Sequence, residues 1–292
     1  MDWIIGGQIL INGVLMGGIY ALMAIGLTFI LGVLKIVNFA HGSFIMMGMY
    51  LAYVLYKTWS IDPHLSILIS MPLLGVVGFC VYAFLIKKVI YAPQYIQILL
   101  TFALSVVIDN LALMVFGATP LYLHTDYSDK TLPMLDFFFI SVPRLSTFVL
   151  SFFMIGALYL GLKKTDMGRA IVASSQSAVG AQLLGMNVEK IYSLAFSVGI
   201  IYAGAAGILQ SLYFYVCPSV SMNFCLKAFV IIVLGGTGSF IGASVGGLII
   251  GIIESFSGFY CPGTIQDLVI FGLFILGLLI KPTGIFGDKD HA

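Results

Sequence analysis

The chain has 292 residues, 61% of them hydrophobic and 9% charged, with a formal net charge of +1. A soluble domain carries roughly 25% charged residues, so lipid must be the main solvent of this surface. The near-zero net charge argues against the basic face that nucleic-acid binding requires. An all-α, polytopic membrane protein is expected, a single transmembrane domain over residues 1–292.

The amino terminus, from Met1 and Asp2 onward, has neither a Lys/Arg-rich region nor an A-x-A cleavage site, so the first apolar run is expected to stay as a span. A helix needs roughly 20 residues to cross the hydrocarbon. Ile9–Leu34 is long enough and uncharged. A second segment, Phe39–Tyr56, opens on a polar cluster, Asn38, His41 and Ser43 beside Gly42, in otherwise apolar sequence. Leu65–Ile86 is uncharged, and Gln94–Phe116 carries one acid, Asp109. Leu145–Leu162, Ile191–Tyr215, Ala228–Ile253 and Leu268–Ile280 follow, about 8 hydrophobic segments in all. An intramembrane acid is a functional candidate that should face a partner; an acid near the outer water interface is the plainer reading of Asp109.

Lys and Arg collect on the inner side of a membrane. Lys87 and Lys88, the group Lys163, Lys164, Arg169 and Lys190, and the pair Lys281 and Lys289 all fall inside in one threading. It places the amino terminus outside, the carboxyl terminus inside, and the acidic loop with Asp126, Asp129 and Asp136 outside. Lys57, Arg144 and Lys227 fall outside as isolated exceptions. The same threading makes Ala228–Ile253 enter and leave on one side. Its middle, "VLGGTGSFIGASVGG", holds six glycines from Gly235 to Gly247. Glycine costs roughly 1 kcal/mol against Ala inside a helix, so a broken or re-entrant segment is expected around Gly235, Gly236 and Gly238, with Thr237 and Ser239 beside them. Gly242, Gly246, Gly247 and Gly251 also suit close helix packing. "IYA" followed by "GSFI" occurs twice, at Ile19 and Gly42 and again at Ile201 and Gly238, which suggests a weak internal repeat. Interrupted segments in corresponding positions point to a substrate path.

The connection "KKTDMGRAIVASSQSAVGAQLLGMNVEKIYS" has a helix-compatible middle. Ser174, Ser175 or Ser177 suits a cap, Gly185 a stop, and Ala178, Ala181 and Leu184 one apolar stripe. It reads either as a surface pushed by a soluble partner or as an interfacial helix. Cys80, Cys217, Cys225 and Cys261 lack metal-ligand spacing, so neither metal nor cofactor is expected. No GxxxxGK[ST] loop is present, so energy for any pumping must come from another chain.

The stretches "GLTFILGVLKIVNFAHGSFIMMGMYLAYVL", "GRAIVASSQSAVGAQLLGMN" and "KAFVIIVLGGTGSFIGASVGGLIIGIIES" together resemble the branched-chain amino acid type of ABC-transporter permease. The resemblance runs from about Gly13 to Ile285, and "LLTFALSVVIDNLALMVFGATP" is similar as well. It implies an inner- or plasma-membrane pore subunit, not an enzyme. Its implied partners are two cytosolic ATPases, a second related permease and an extracytoplasmic solute-binding protein. A heterodimeric permease pair is expected. Gly168–Asn187, with Arg169, Ala181 and Gly185, would be the ATPase coupling loop. This chain departs from the family at Val172, Ser177 and Asp109. The family also moves urea, amides and aromatic acids. A self-sufficient channel or ion-coupled carrier is the alternative from another class.

For Asn38 and His41 two roles are open. Either Asn38 caps the second span, accepting from the NH of Ala40 or His41, while His41 bonds a neighbouring carbonyl. Or the cap holds a broken-helix end near the inner side, facing Gly235–Ser239, with His41 as a gate.

Overall fold

The computed structural model describes residues 2–134, 137–261, 263–281 and 283–286. Met1, Asp136 and Lys289, which enter the expectations above, lie outside them. The helices are α1 (Asp2–Leu34), α2 (His41–Trp59) and α3 (Pro63–Val81), the last continued by a π-helical turn (Tyr82–Ile86) and α4 (Lys87–Val89). Then come α5 (Gln94–Phe116), the strands β1 (Thr131–Met134) and β2 (Phe138–Ser141), α6 (Val142–Lys164), α7 (Asp166–Gln176) and α8 (Ala178–Leu183). The chain ends in α9 (Val188–Gln210), α10 (Val220–Gly235), α11 (Phe240–Tyr260) and α12 (Gly263–Ile280). Among the described residues, six helices are long and apolar enough to cross a membrane. With the shorter apolar helices beside them, they make a polytopic helical membrane protein.

α1 and α9 form the centre. In each, 83% of the most apolar window is buried, against 11% in α5, which therefore lies at the periphery. A helix apolar all round belongs inside protein or lipid, and Ile19 to Leu27 of α1 are all buried. Close approach depends on small residues. A Cβ at Gly48 would overlap the Gly204 carbonyl, and one at Gly207 the Ile45 carbonyl, so α2 and α9 touch backbone to backbone. α1 meets α11 in the same way, Gly13 and Gly17 against the Gly247–Ile252 stretch. These are small-xxx-small contacts, which gain van der Waals packing where lipid supplies no hydrophobic drive.

The glycine-rich segment breaks and returns to the side it entered from, as expected, but as two helices joined by a turn. α10 and α11 run antiparallel, with Gly235 against Gly242 and Ile231 against Gly246. The turn between them needs positive φ at Gly236 (108°) and Gly238 (82°), and Ser239 caps α11 by accepting from Gly242 N (3.0 Å). The turn lies next to Gly32, at the end of α1, so the hairpin reaches the face that carries Lys163 and Lys164 instead of turning back at mid-depth. We call this the basic face. The two "GSFI" copies therefore sit at different depths, one opening α2 inside the core and one opening α11 at the basic face.

On the opposite face, β1 and β2 pair antiparallel from Thr131↔Ser141 to Met134↔Phe138, and Gln8 of α1 exchanges hydrogen bonds with the Phe139 backbone. Asp62 caps α3, accepting from His64 N (2.8 Å), with Pro63 at the first helical position. His64 Nδ1 lies 2.9 Å from Asp62 Oδ1 and 3.0 Å from the Tyr127 hydroxyl, and His64 Nε2 lies 2.9 Å from Ser146 Oγ. This ties the loop to α3 and α6. The Asp62–His64–Ser146 order has the form of a charge relay, but Ser146 donates its proton to the Pro143 carbonyl (2.9 Å).

Burial alone would raise the Asp62 pKa; hydrogen bonds from Tyr127 and His64 outweigh it and hold the carboxyl below its ordinary value. Its contribution to stability is therefore present above the unfolded pKa and lost as pH falls through the folded one. Limited proteolysis of the 117–130 loop should accelerate in that acid window, and Asp62→Asn should abolish the pH dependence.

Gly207→Ala should destabilise the protein by about 1–3 kcal/mol, because the Ile45 carbonyl cannot swing away as a side chain would. Gly156→Ala, with open space around the added methyl, should be neutral or stabilise by up to ~1 kcal/mol. Thermal unfolding in one detergent compares the two.

Candidate functional site

Between α1 and α2 the chain turns back into the protein. Lys35 adopts φ 58°, a conformation uncommon outside glycine, and residues 36–40 run non-helically inward. His41 Nε2 donates to the Met23 carbonyl (2.9 Å), about 11 residues before α1 ends, which puts it about 16 Å from that end. Asn38 and His41 are fully buried there. The expected position near the inner side is thus corrected: charge patterning locates span ends, not an extended segment folded back between them.

Every exposed backbone group at such depth needs a partner, and side chains provide several. Thr101 Oγ1 of α5 accepts from Phe39 N (3.2 Å) and lies 3.1 Å from the Val37 carbonyl. Cys225 Sγ of α10 donates to the Phe39 carbonyl (3.2 Å). Asn38 Oδ1 accepts from Ala40 N (3.1 Å), and Ala40 is the N-cap of α2, so Asn38 makes a turn ahead of the helix and is not itself the cap. Gly42 permits the closest approach, since a Cβ there would overlap the Ser221 carbonyl.

From this turn a string of polar side chains leads away from the basic face. Ser43 Oγ donates to Ser105 Oγ (3.0 Å); Ser105 Oγ is 3.5 Å from Asp109 Oδ2; and Ser221 Oγ donates to the same oxygen (2.5 Å). Asp109 lies two turns before the end of α5 and borders a cavity of about 430 Å³ between α5, the 117–119 bend and the start of α10. Next to it Asn110, exposed on the same apolar helix, donates to the Val106 carbonyl (2.7 Å).

Thr237 and Ser239 do not join this cluster. Thr237 is exposed at the hairpin tip, which borders a second, smaller cavity with Thr28, Gly32, Ile171 and Ser175. The polar candidates thus divide into a mid-depth string and a turn at the basic face. One pair was missed. Lys227, expected as an isolated outer charge, instead forms a buried ion pair with Glu254 across α10 and α11 (2.6 Å). Lys227 Nζ also lies 5.6 Å from the Tyr20 ring centre. Once Gly236–Ser239 is read as a tight hairpin, the two helices must face each other at this level; that was the available signal.

At the basic face Thr165 caps α7, accepting from Gly168 N (3.0 Å), and a Cβ at Gly168 would strike α6. Ser177 caps α8 through Gly180 N (3.0 Å), Gly185 ends it at φ 80°, and Asn187 opens α9 through Lys190 N (3.0 Å). Arg169 pairs with Asp166 on the exposed side. The expected stripe is divided: Ala181 is 3% exposed and packs inward, whereas Leu183 and Leu184 are 83% and 77% exposed. Among the described residues no group of three or more His, Cys, Asp or Glu has the arrangement of a metal site.

Residues 9–278 match the family model described as branched-chain amino acid transport system / permease component. The chain belongs to this family. It is a transport permease subunit and a multi-pass membrane protein. It is 31% identical to the high-affinity branched-chain amino acid transport system permease protein BraD of Pseudomonas aeruginosa, covering 97% of this chain and 96% of that one. It is likewise 31% identical to LivH of Escherichia coli K12, a protein of the same description, with the same coverage. The probable branched-chain amino acid transport permease LivH of Methanocaldococcus jannaschii is 31% identical over 97% of this chain and 93% of its own length. No solved structure matches.

In this permease the Lys227–Glu254 pair supplies a sharp stability test. Removing one member of a buried pair strands a charge and costs about 3–5 kcal/mol. Lys227→Met alone should therefore lower the yield and melting temperature of the detergent-solubilised protein. Lys227→Met combined with Glu254→Gln should recover most of the loss.

Proposed function

We propose that this chain forms one half of the membrane pore of an ATP-driven importer for branched-chain amino acids or similarly small aliphatic solutes. The observation that carries the reading is the continuous polar string from the buried turn at Asn38 to the cavity at Asp109. Lipid would surround the exposed Asn110 side chain and the edge of an acid held only by hydroxyls, a costly environment for both. The α5 side is therefore the side that faces a solute path and a second, related permease chain, with a heterodimer preferred. Ser43, Ser105, Asp109 and Ser221 line the path, while Asn38 and His41 fasten the turn that supports it. Thr237, Ser239 and the glycines of the α10–α11 hairpin belong to its cytoplasmic end.

In this reading the basic face is cytoplasmic, with the amino terminus and the β1–β2 hairpin outside, where a solute-binding protein docks. The α7–α8 pair receives the stroke of one of two ATPases. Two features support it: α7 is fastened to the bundle through buried Gly168, Ile171 and Ser174, and α8 presents Leu183 and Leu184 to water. Exposed leucines on an aqueous face mark an interaction site. Ala181, Gly185 and Asn187 shape this surface without forming its outer contact.

An ATPase should copurify with the tagged chain, and Leu183→Asp should reduce that recovery and uncouple ATP hydrolysis from uptake while insertion stays normal. Undiminished coupling in Leu183→Asp would remove α8 from the ATPase contact. Absence of any ATPase partner would remove the importer reading itself.

A further inference from the structure

α5 joins the bundle along one face, where Gln97, Thr101 and Ser105 are buried. Its outward face carries a regular stripe. Leu99, Ala103, Val106, Asn110 and Leu113 are all exposed, and they recur at alternating steps of four and three residues. That alternation averages about 3.5 residues, the repeat by which two helices lie side by side in a left-handed pair. Ala103 is the small residue that lets a neighbouring backbone come near. Asn110 stands on the stripe one four-residue step after Val106 and one three-residue step before Leu113. In a helix pair this is the position at which a single buried Asn fixes register and helix number.

Asn110 follows Thr101 by about two and a half turns, which puts it on the side of α5 opposite the bundle. It lies about 9 Å before the helix ends at Phe116, and so within the hydrocarbon that this 23-residue helix crosses. Its amide offers two N–H donors and an acceptor oxygen. The donation to Val106 (2.7 Å) uses one of them inside the same helix. A lipid tail cannot engage the rest, whereas an amide or hydroxyl on an adjoining helix can. Asn110 and Leu113 also border the cavity at Asp109, so a helix lying on the stripe becomes part of the cavity wall.

We propose that the stripe from Leu99 to Leu113 is the seam against the corresponding helix of a second, related permease chain, and that Asn110 sets its register. The occupant is a parallel apolar helix with an amide or hydroxyl at the depth of Asn110. It is parallel because both chains must present their coupling surfaces to ATPases on one side of the membrane; that step rests on the importer reading above. The exposed amide and the 3.5-residue stripe do not.

The test uses the full-length chain in membranes of the cells that make it. The photo-crosslinking residue p-benzoylphenylalanine replaces, one position at a time, Leu99, Val106 and Leu113 on the stripe. Leu111 and Val115 are the controls, exposed on the same helix but about 100° and 140° round from Asn110. After irradiation, mass spectrometry identifies the peptide joined to each position. The three stripe positions should join a helix of one second permease chain, and the two controls should not. Asn110→Leu keeps the helix apolar and inserted. It should lower recovery of the second chain with the tagged protein by about threefold or more, the loss of one interhelical hydrogen bond, and Asn110→Gln should keep most of it.

Equal joining from Leu111 and Val115, or stripe positions that join lipid alone, would overturn the seam, and neither result depends on a variant of Asn110. Stripe positions joined to a second copy of this chain would overturn the related chain as occupant. Undiminished recovery with Asn110→Leu would overturn the role of Asn110. Joined permease chains without any ATPase partner would leave the seam standing and reject the importer reading. ATP-driven uptake without joining at the stripe would do the reverse.

Discussion

The constraint on which the rest of this structure depends is the need to satisfy backbone polar groups in a place without water. Residues 36–40 leave helical geometry deep inside the bundle, where each unmet N–H or C=O would cost several kcal/mol. Thr101, Cys225 and Asn38 supply the missing partners, and they come from α5, α10 and the turn itself. Three parts of the chain that are far apart in sequence are therefore fixed to one another by a single short segment. α5 packs Leu100, Leu104, Ile108, Ala112 and Phe116 against the core, and Thr101 and Ser105 add hydrogen bonds on the same side. A peripheral helix attached along one face is also a helix whose other faces remain free for a second chain.

That attachment explains why the polar groups occur where they do. A buried hydroxyl gains from a partner, and the bonded hydroxyls Ser43, Ser105 and Ser221 lie on one boundary between α2, α5 and α10. The boundary begins at the buried turn and ends at Asp109. Gly42 lets α2 lie against α10 at its start, which brings Ser221 within reach of Asp109. A side chain at position 42 would push α10 outward and separate the two. Packing by small residues and the polar path are thus one arrangement: the close backbone contact sets the distance that the hydrogen bonds need.

The long apolar helices were legible in the sequence because each buries a continuous run whose ends are marked by charge or proline; α5 matches its expected bounds, Gln94–Phe116, at both ends. The glycine-rich stretch was legible as a break that returns to the side it entered from, but not in how far it reaches. Gly236 and Gly238 report a left-handed turn, yet nothing local says whether the chain turns at mid-depth or at the far face. That is decided by the length of α10, 16 residues or about 24 Å, and by its contact with Gly32. The depth of Asn38 was illegible for a related reason. Lys35 marks a span end correctly, and the return of the next five residues into the core is set by Met23 and Thr101, which are remote in sequence. Lys227 read as an outer charge because its partner, Glu254, is 27 residues away across a turn not yet recognised.

The Lys227–Glu254 pair and the half-buried Asp109 differ in what they are able to do. Lys227 and Glu254 neutralise each other at 2.6 Å and are 14% and 6% exposed, so their mutual attraction is used up within the fold. Such a pair specifies how α10 and α11 register beside α1, because a shift by one residue would strand both charges. Among the described residues Asp109 has hydroxyls for partners and no opposite charge. Hydroxyls orient a carboxylate but do not cancel it, so its field extends into the adjoining cavity. A fixed, uncompensated charge is costly in lipid and tolerable beside water or a cation. The same protein thus contains one acid whose charge is spent on holding helices together and one whose charge remains available, and only the second borders an open space.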